Sequence, residues 1–155
     1  MIPIKIRKAD LGDIKAIANI EDLSFEYPYP KEYLIYLLRR CEFFYVAELS
    51  CHRSIIGYVC GDLEYRRGRV SGHIYSIAVH PMFRKKGVGT ALMEVIIRSF
   101  MNARAHEVYL ECRKSNLIAQ RFYKKLGFKV VKTIRGYYRD GEDAYVMARP
   151  AEIHQ

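Results

Sequence analysis

The chain has 155 residues, of which 50% are apolar and 28% charged, a balance that reads as globular and excludes a disordered polyelectrolyte. No apolar run approaches the roughly 20 residues of a membrane span, so no membrane association is expected. The formal charge is +9. A polyanionic cofactor, an acidic peptide, nucleic acid or a ribosome-proximal location would each suit it.

The chain reads as one domain over residues 1–155. "MIPIKIRKAD" lacks the apolar block of a signal peptide, which points to a cytoplasmic protein. "IPIKIR" alternates as a short strand. From Asp10, a plausible N-cap, Leu11, Ile14, Ile17, Ala18, Ile20 and Leu23 recur at helical spacing. "EYPYP" breaks that helix and "KEYLIYLLRR" starts another. "FFYVAEL" and "IIGYVCGDLEY" read as strands around a turn at Ser50 to Ser54, and "VSGHIYSIAVH" as a third strand stopped by Pro81. A helix from about Gly87 to Ala103 shows Val88, Leu92, Val95, Ile96 and Phe100 on one face. "EVYLECR" is a strand, and "SNLIAQRFYKKLG" a helix capped by Ser115 and ended by Gly127. "FKVVKTI" and "DAYVMAR" close the chain as strands across a D-G turn. The sum is a mixed-sheet α/β domain of about seven strands and four helices.

Cys41, Cys51, Cys60 and Cys112 are widely spaced without a C-x-x-C pair. Buried free thiols are expected, with neither a metal site nor a disulfide framework.

One stretch carries two local penalties. Arg84, Lys85, Lys86, Gly87 and Gly89 cluster where a helix begins. Glycine costs about 1 kcal/mol against alanine in a helix, and positive charge opposes the dipole there. A strand, a basic glycine-containing loop and a helix offer backbone N–H groups to a phosphate. The pattern is R-x-x-G-x-G; neither the P-loop pattern nor G-x-G-x-x-G is present. Taken alone, the motif fits a ligand loop and a solvated helix start equally well.

In context, "SIAV", "RKKGVG", "YLECR" and "SNLIAQRFYKKLGF" follow in an order that resembles the GNAT acyltransferase superfamily over nearly the whole chain. "GYYRDGEDAYVMARP", Gly136 to Pro150, with "GHIYSIAV" and "YLECRKSN", resembles the archaeal and eukaryotic protein N-terminal acetyltransferases, and less closely the bacterial ribosomal-protein alanine acetyltransferases. The loop "SFEYPYP" departs from that family's Leu-Pro-Glu-Asn-Tyr. The resemblance implies a GNAT fold, mostly antiparallel with a central, splayed parallel pair of strands. It implies acetyl-coenzyme A as cosubstrate, no metal, and polypeptide N-termini, nascent chains at the ribosome among them, as acceptors. A monomer or weak dimer is expected.

Residue by residue, the resemblance gives the pyrophosphate to Arg84, Gly87 and Gly89, and Lys85, Lys86, Val88 and Thr90 of the same stretch are expected to bind the cofactor with them. It gives the pantetheine arm to the backbone of Ile77, Ala78 and Val79 and to Asn116, with the Val79 amide as oxyanion donor. Glu111 takes the position of the general base, His73 that of a base-assisting histidine, and Tyr123 that of the acid on the sulfur. Phe25, Glu26, Tyr27, Tyr29, Tyr137 and Tyr138 lie in the two loops that clamp the peptide. The residues alone allow plainer roles: Glu111 in a salt bridge to Arg113 or another basic neighbour; His73 structural or solvated; Tyr123 in the core; the loop tyrosines covering apolar surface. Strand alternation sets Val108, Leu110 and Cys112 on one face of "VYLECR" and Tyr109, Glu111 and Arg113 on the other, which leaves Cys112 on the wrong face for a nucleophile.

Two other readings remain. One is acetyl transfer to lysine or a small amine. The other is a basic nucleic-acid-binding module, disfavoured because no aromatic-and-basic stacking motif or recognition helix is visible.

Overall fold

In a computed structural model that describes residues 2–152, seven strands form one mixed sheet in the order β1-β2-β3-β4-β5-β7-β6. The strands are β1 (Ile4–Lys8), β2 (Phe43–Leu49), β3 (Ile55–Arg66), β4 (Arg69–Val79), β5 (Glu107–Arg113), β6 (Lys129–Ile134) and β7 (Ala144–Pro150). The α-helices are α1 (Ile14–Ser24), α2 (Lys31–Arg40), α3 (Val88–Asn102) and α4 (Leu117–Lys125). Strand and helix numbers match the sequence expectation. Residues 1 and 153–155 of the expected 1–155 domain lie outside the described residues.

By their internal contacts the residues group into two compact units, residues 1–62 with 75–99 and residues 63–74 with 100–155. In the first unit, α1 begins one turn later than its periodicity suggests. Asp10 caps a short 3₁₀ turn over Leu11–Asp13 instead, accepting from the Gly12 amide at 2.9 Å while Asp13 Oδ2 accepts from the Asp10 amide at 2.9 Å. This reciprocal cap satisfies amides the helix start would leave unpaired. Asp13 also accepts both Arg7 Nη1 and Nη2 at 2.8 Å. Ile14, Ile17 and Ile20 of α1 then pack with Leu34 and Leu37 of α2 against Phe44, Val46 and Tyr58. Leu11 and Leu23, expected on the same apolar face, are exposed; they fall on either side of the stripe that meets α2. Gly57 lets α3 sit close to the strands, because a Cβ there would meet Leu92 Cδ1 at 3.1 Å and the Ala78 carbonyl at 3.2 Å.

In the second unit, β5 alternates as expected, with Val108, Leu110 and Cys112 buried. It pairs antiparallel with β7 along its whole length and parallel with β4 over three pairs, ending at His73 opposite Tyr109. Gly72 precedes His73 because the Phe100 ring fills the space a Cβ would need. The helix "NLIAQRFYKK" is capped by Asn116, not Ser115: Asn116 Oδ1 accepts from the Ala119 amide at 3.1 Å, while the Ser115 amide is held by Glu142 Oε2 at 2.9 Å. Of the four free cysteines, Cys41, Cys60 and Cys112 are buried as expected and Cys51 is exposed, because it sits in the turn between β2 and β3.

Candidate active site

A cluster of titratable groups in the second unit lies on one sheet face. Strand alternation puts Glu111 beside Tyr109 on that face of β5, and the parallel ladder brings His73 of β4 alongside. His73 Nε2 is 2.8 Å from Glu111 Oε1, and its Nδ1 is 2.8 Å from Glu64 Oε1. The Tyr109 hydroxyl donates to the other oxygen of Glu64. The Tyr109 ring stacks on the imidazole at 4.2 Å and 14°. Both ring nitrogens therefore face carboxylates, a setting that suits an imidazolium.

Burial works against that charge, yet the hydrogen bonds and fields of Glu111 and Glu64 outweigh it and hold His73 above its ordinary value. Glu64 is opposed by burial too, but the Tyr109 and His73 hydrogen bonds hold it below the usual carboxylate range. Burial and the Glu64 carboxylate keep Tyr109 protonated well above the ordinary phenol value. The group sets one imidazole between two carboxylates, in a place only partly open to water.

Arg113, the sequence-based partner for Glu111, is engaged elsewhere. Its Nη1 donates to Asp140 at 2.9 Å and to Glu142 at 2.9 Å, and its guanidinium lies 4.1 Å over the Tyr138 ring. That knot fixes the β6–β7 loop, where Tyr137 and Tyr138 meet edge to face at 5.0 Å. Tyr123 lies on α4 between Phe122 and Phe128, at 5.4 and 5.9 Å. Burial, with Cys112 and Tyr138 adding to it, keeps its phenol protonated well above the ordinary value. Burial also pushes the Cys112 thiol up to about 11, which disfavours a thiolate nucleophile.

The first unit holds the glycine-rich stretch. A 3₁₀ turn over Pro81–Phe83 leads into it, with His80 Nδ1 accepting from the Met82 amide at 3.2 Å. Lys85 at φ 61 and Gly87 at φ 87 bend the chain through the left-handed region just before α3. Such a bend turns successive amides towards a common point. The amides of Val88, Gly89 and Thr90 precede the Ala91 amide, which bonds back to the Gly87 carbonyl at 3.0 Å. Lys85, Lys86 and Gly87 are exposed. Unpaired amides at a helix start with lysines beside them suit an anion. Arg84 heads the loop, where its Nε donates to the Val79 carbonyl at 3.0 Å and its Nη2 to Ser24 Oγ at 3.2 Å. It pins the end of β4 to the end of α1.

Ser24 opens the loop that carries Phe25, Glu26, Tyr27 and Tyr29. Phe25 and Tyr27 are exposed, while Tyr29 stacks obliquely on Tyr33 at 4.9 Å. Glu21 holds this loop from inside. It is 1% exposed, accepts the Tyr29 amide at 3.0 Å, and takes hydrogen bonds from Tyr58 and, at 3.2 Å, from Ser76. Burial raises its pKa despite those donors.

Residues 14–128 match the Acetyltransferase (GNAT) family. The chain belongs to that family. It is 40% identical to the N-alpha-acetyltransferase of Sulfurisphaera tokodaii over 94% of this chain and 92% of that one. Among solved structures, Ard1 from Thermoplasma volcanium superposes with a TM-score of 0.88 at 32% identity, covering 96% and 98% of the two chains. A chain of the NatC complex bound to Gag peptide and CoA gives 0.86 at 25% identity, covering 96% and 99%.

Within this GNAT chain, the sequence reading named His73 and Glu111 and missed the two groups that orient them. Glu64 ends an apolar strand next to a run of arginines, where a salt bridge is the ordinary guess. Tyr109 read only as a partner of Glu111 on the alternating face. Glu21 was hidden in a helical stripe as one more polar position; the signal available was its place three residues after Ala18 and one after Ile20, on the buried side of α1. Among the described residues no cluster of His, Cys, Asp and Glu has the makings of a metal site, and no helix is long and apolar enough to cross a membrane.

Proposed function

We propose that this protein is an N-alpha-acetyltransferase that moves an acetyl group from acetyl-coenzyme A to the α-amine of a polypeptide. The observation that carries the reading is the pair His73–Glu111, 2.8 Å apart on neighbouring strands and backed by Glu64, in a chain whose relative is named for that activity. An α-amine with a pKa near 7.7–8.0 needs only a modest base, unlike lysine near 10.4. A carboxylate coupled to an imidazole supplies one.

In this reading the bent loop from Lys85 to Thr90 binds the diphosphate through its amides, with Lys85 and Lys86 flanking it. Arg84 serves the loop by fixing the end of β4. The backbone of Ile77, Ala78 and Val79 pairs with the pantetheine arm as an added strand does. Asn116 spends its carbonyl on the helix cap, so its amide nitrogen is the group offered to the arm. The amine attacks the thioester carbonyl, forming the C–N bond while the C–S bond breaks. Glu111 accepts the amine proton, with His73 sharing it. The Val79 amide faces the developing oxyanion. Tyr123, kept protonated by burial, donates its proton to the leaving sulfur and regains one from water. Phe25, Glu26, Tyr27 and Tyr29 on one loop and Tyr137 and Tyr138 on the other supply apolar walls and phenols for the peptide's first residues. Nascent chains in the cytoplasm are the natural acceptors.

Mass spectrometry of paired peptides tests this. A free α-amine should be acetylated, and the same peptide with a blocked N-terminus and an internal lysine should react far less. Preference for the lysine would move the protein to the other amine class.

A further inference from the structure

Between Cys112 and Arg139 the chain has nine Lys or Arg and no Asp or Glu, so this stretch carries the whole formal charge of +9 and the remainder is neutral. It spans α4 and β6. In a regular strand, residues three apart such as Lys129 and Lys132 point to opposite faces. β6 is not regular. Lys129 sits opposite Ala148 and Lys132 opposite Val146, with Val131 the extra residue of a bulge. Directly opposed residues share a face, so the bulge brings both lysines to one side.

That side is the face of Glu111. β7 pairs Val146 with Glu111 and Ala148 with Tyr109. Lys132, Val146 and Glu111 form one cross-strand row. At about 4.8 Å per strand, Lys132 stands roughly 10 Å from Glu111, the span of about three extended residues. Both lysines are exposed, and neither makes an ion pair among the described residues. Of the other charges on this face, Arg113 is neutralised by Asp140 and Glu142, Glu64 and Glu111 are engaged by His73, Glu107 accepts from the Ser71 hydroxyl at 3.1 Å, and Arg66 lies 3.8 Å from Glu64.

We propose that Lys129 and Lys132 select polypeptides carrying Asp or Glu at about the third to fifth residue. An acceptor amine at Glu111 places those side chains over the β6 lysines. The proposal rests on the acetyltransferase reading.

The test uses peptides with identical first two residues and either Asp/Glu or Gln at the next three positions. Wild type is compared with Lys129→Gln/Lys132→Gln, with Lys129→Glu/Lys132→Glu, and with an α4 variant, Arg121→Gln/Lys124→Gln/Lys125→Gln. Two exposed ion pairs predict about fivefold higher kcat/KM for the acidic peptide, expressed in KM and shrinking as salt shortens the screening length. Both β6 variants should lose the preference, and the α4 variant should keep it. Equal kcat/KM for the two wild-type peptides overturns the proposal and leaves the activity standing. A preference lost in the α4 variant and kept in the β6 variants overturns the assignment to this face. Failure to acetylate any free α-amine overturns the activity and the selection together.

Discussion

Glu64 holds His73 from the side away from Glu111, its Oε1 lying 2.8 Å from Nδ1. The arrangement resembles a base oriented by a third group. It also makes a sign prediction. The His73 value is raised, against its burial, by Glu111 and by Glu64. Activity should climb as pH rises through that raised value and the cluster gains the capacity to take a proton. Glu64→Gln removes one of the two anions, so the acidic limb of kcat should move to lower pH, while Glu64→Asp, which keeps the charge, should move it less. A limb that stays in place in Glu64→Gln with the fold intact would show that Glu64 does not tune His73.

Glu111→Gln keeps shape and removes basicity; His73→Ala removes the imidazole. Because each leaves the other in place, neither should abolish turnover. General acid–base catalysis contributes about 10²–10⁴-fold, so Glu111→Gln should lower kcat by roughly the lower figure and His73→Ala by less. Both defects should shrink as pH passes the ordinary α-amine value of about 8, where the nucleophile is already neutral. A Glu111→Gln defect that is constant across the pH–rate profile would assign it to positioning.

Gly89 lies at the turn where α3 offers its unpaired amides. Gly89→Glu adds bulk and a negative charge there. Acetyl-coenzyme A affinity measured by calorimetry should fall at least tenfold, about 1.4 kcal/mol. An unchanged affinity in a folded variant would remove the loop from the cofactor site.

Glu21 tests the loop of Phe25 to Tyr29. Glu21→Ala removes the acceptor of the Tyr29 amide and of the Tyr58–Ser76 hydroxyl pair, whose members still bond each other at 2.8 Å, which should cost about 1–3 kcal/mol of stability by denaturant unfolding. Peptide KM should rise more than acetyl-coenzyme A KM, because the loop and not the diphosphate cradle loses its anchor. Equal increases in both would point to general loosening.

Much of this was legible in the chain. Strand alternation put Glu111 on the polar face of β5, and the glycine and lysine pattern marked the start of α3. What escaped the sequence depended on the register between strands. Glu64 reaches His73 across the short connection between β3 and β4, and the alternation of either strand alone does not encode which residues face each other. The bulge at Val131 is likewise a product of register: "KVVK" read alone sets its two lysines on opposite faces, and β7 sets them on one. Ser115 and Asn116 are equally good caps by type, and it is Asn116 whose Oδ1 accepts from the Ala119 amide.

The distribution of thiols gives the protein a built-in gauge of its own integrity. Burial pushes Cys41 up to about 12, Cys112 to about 11, and Cys60 well above its ordinary value, while Cys51 lies exposed in its turn. Since the thiolate is the reactive form, an alkylating reagent should consume one equivalent in the native protein and four once the chain opens. The lag between the first equivalent and the remaining three would time unfolding of either unit without any added probe: Cys41 and Cys60 report on one, Cys112 on the other.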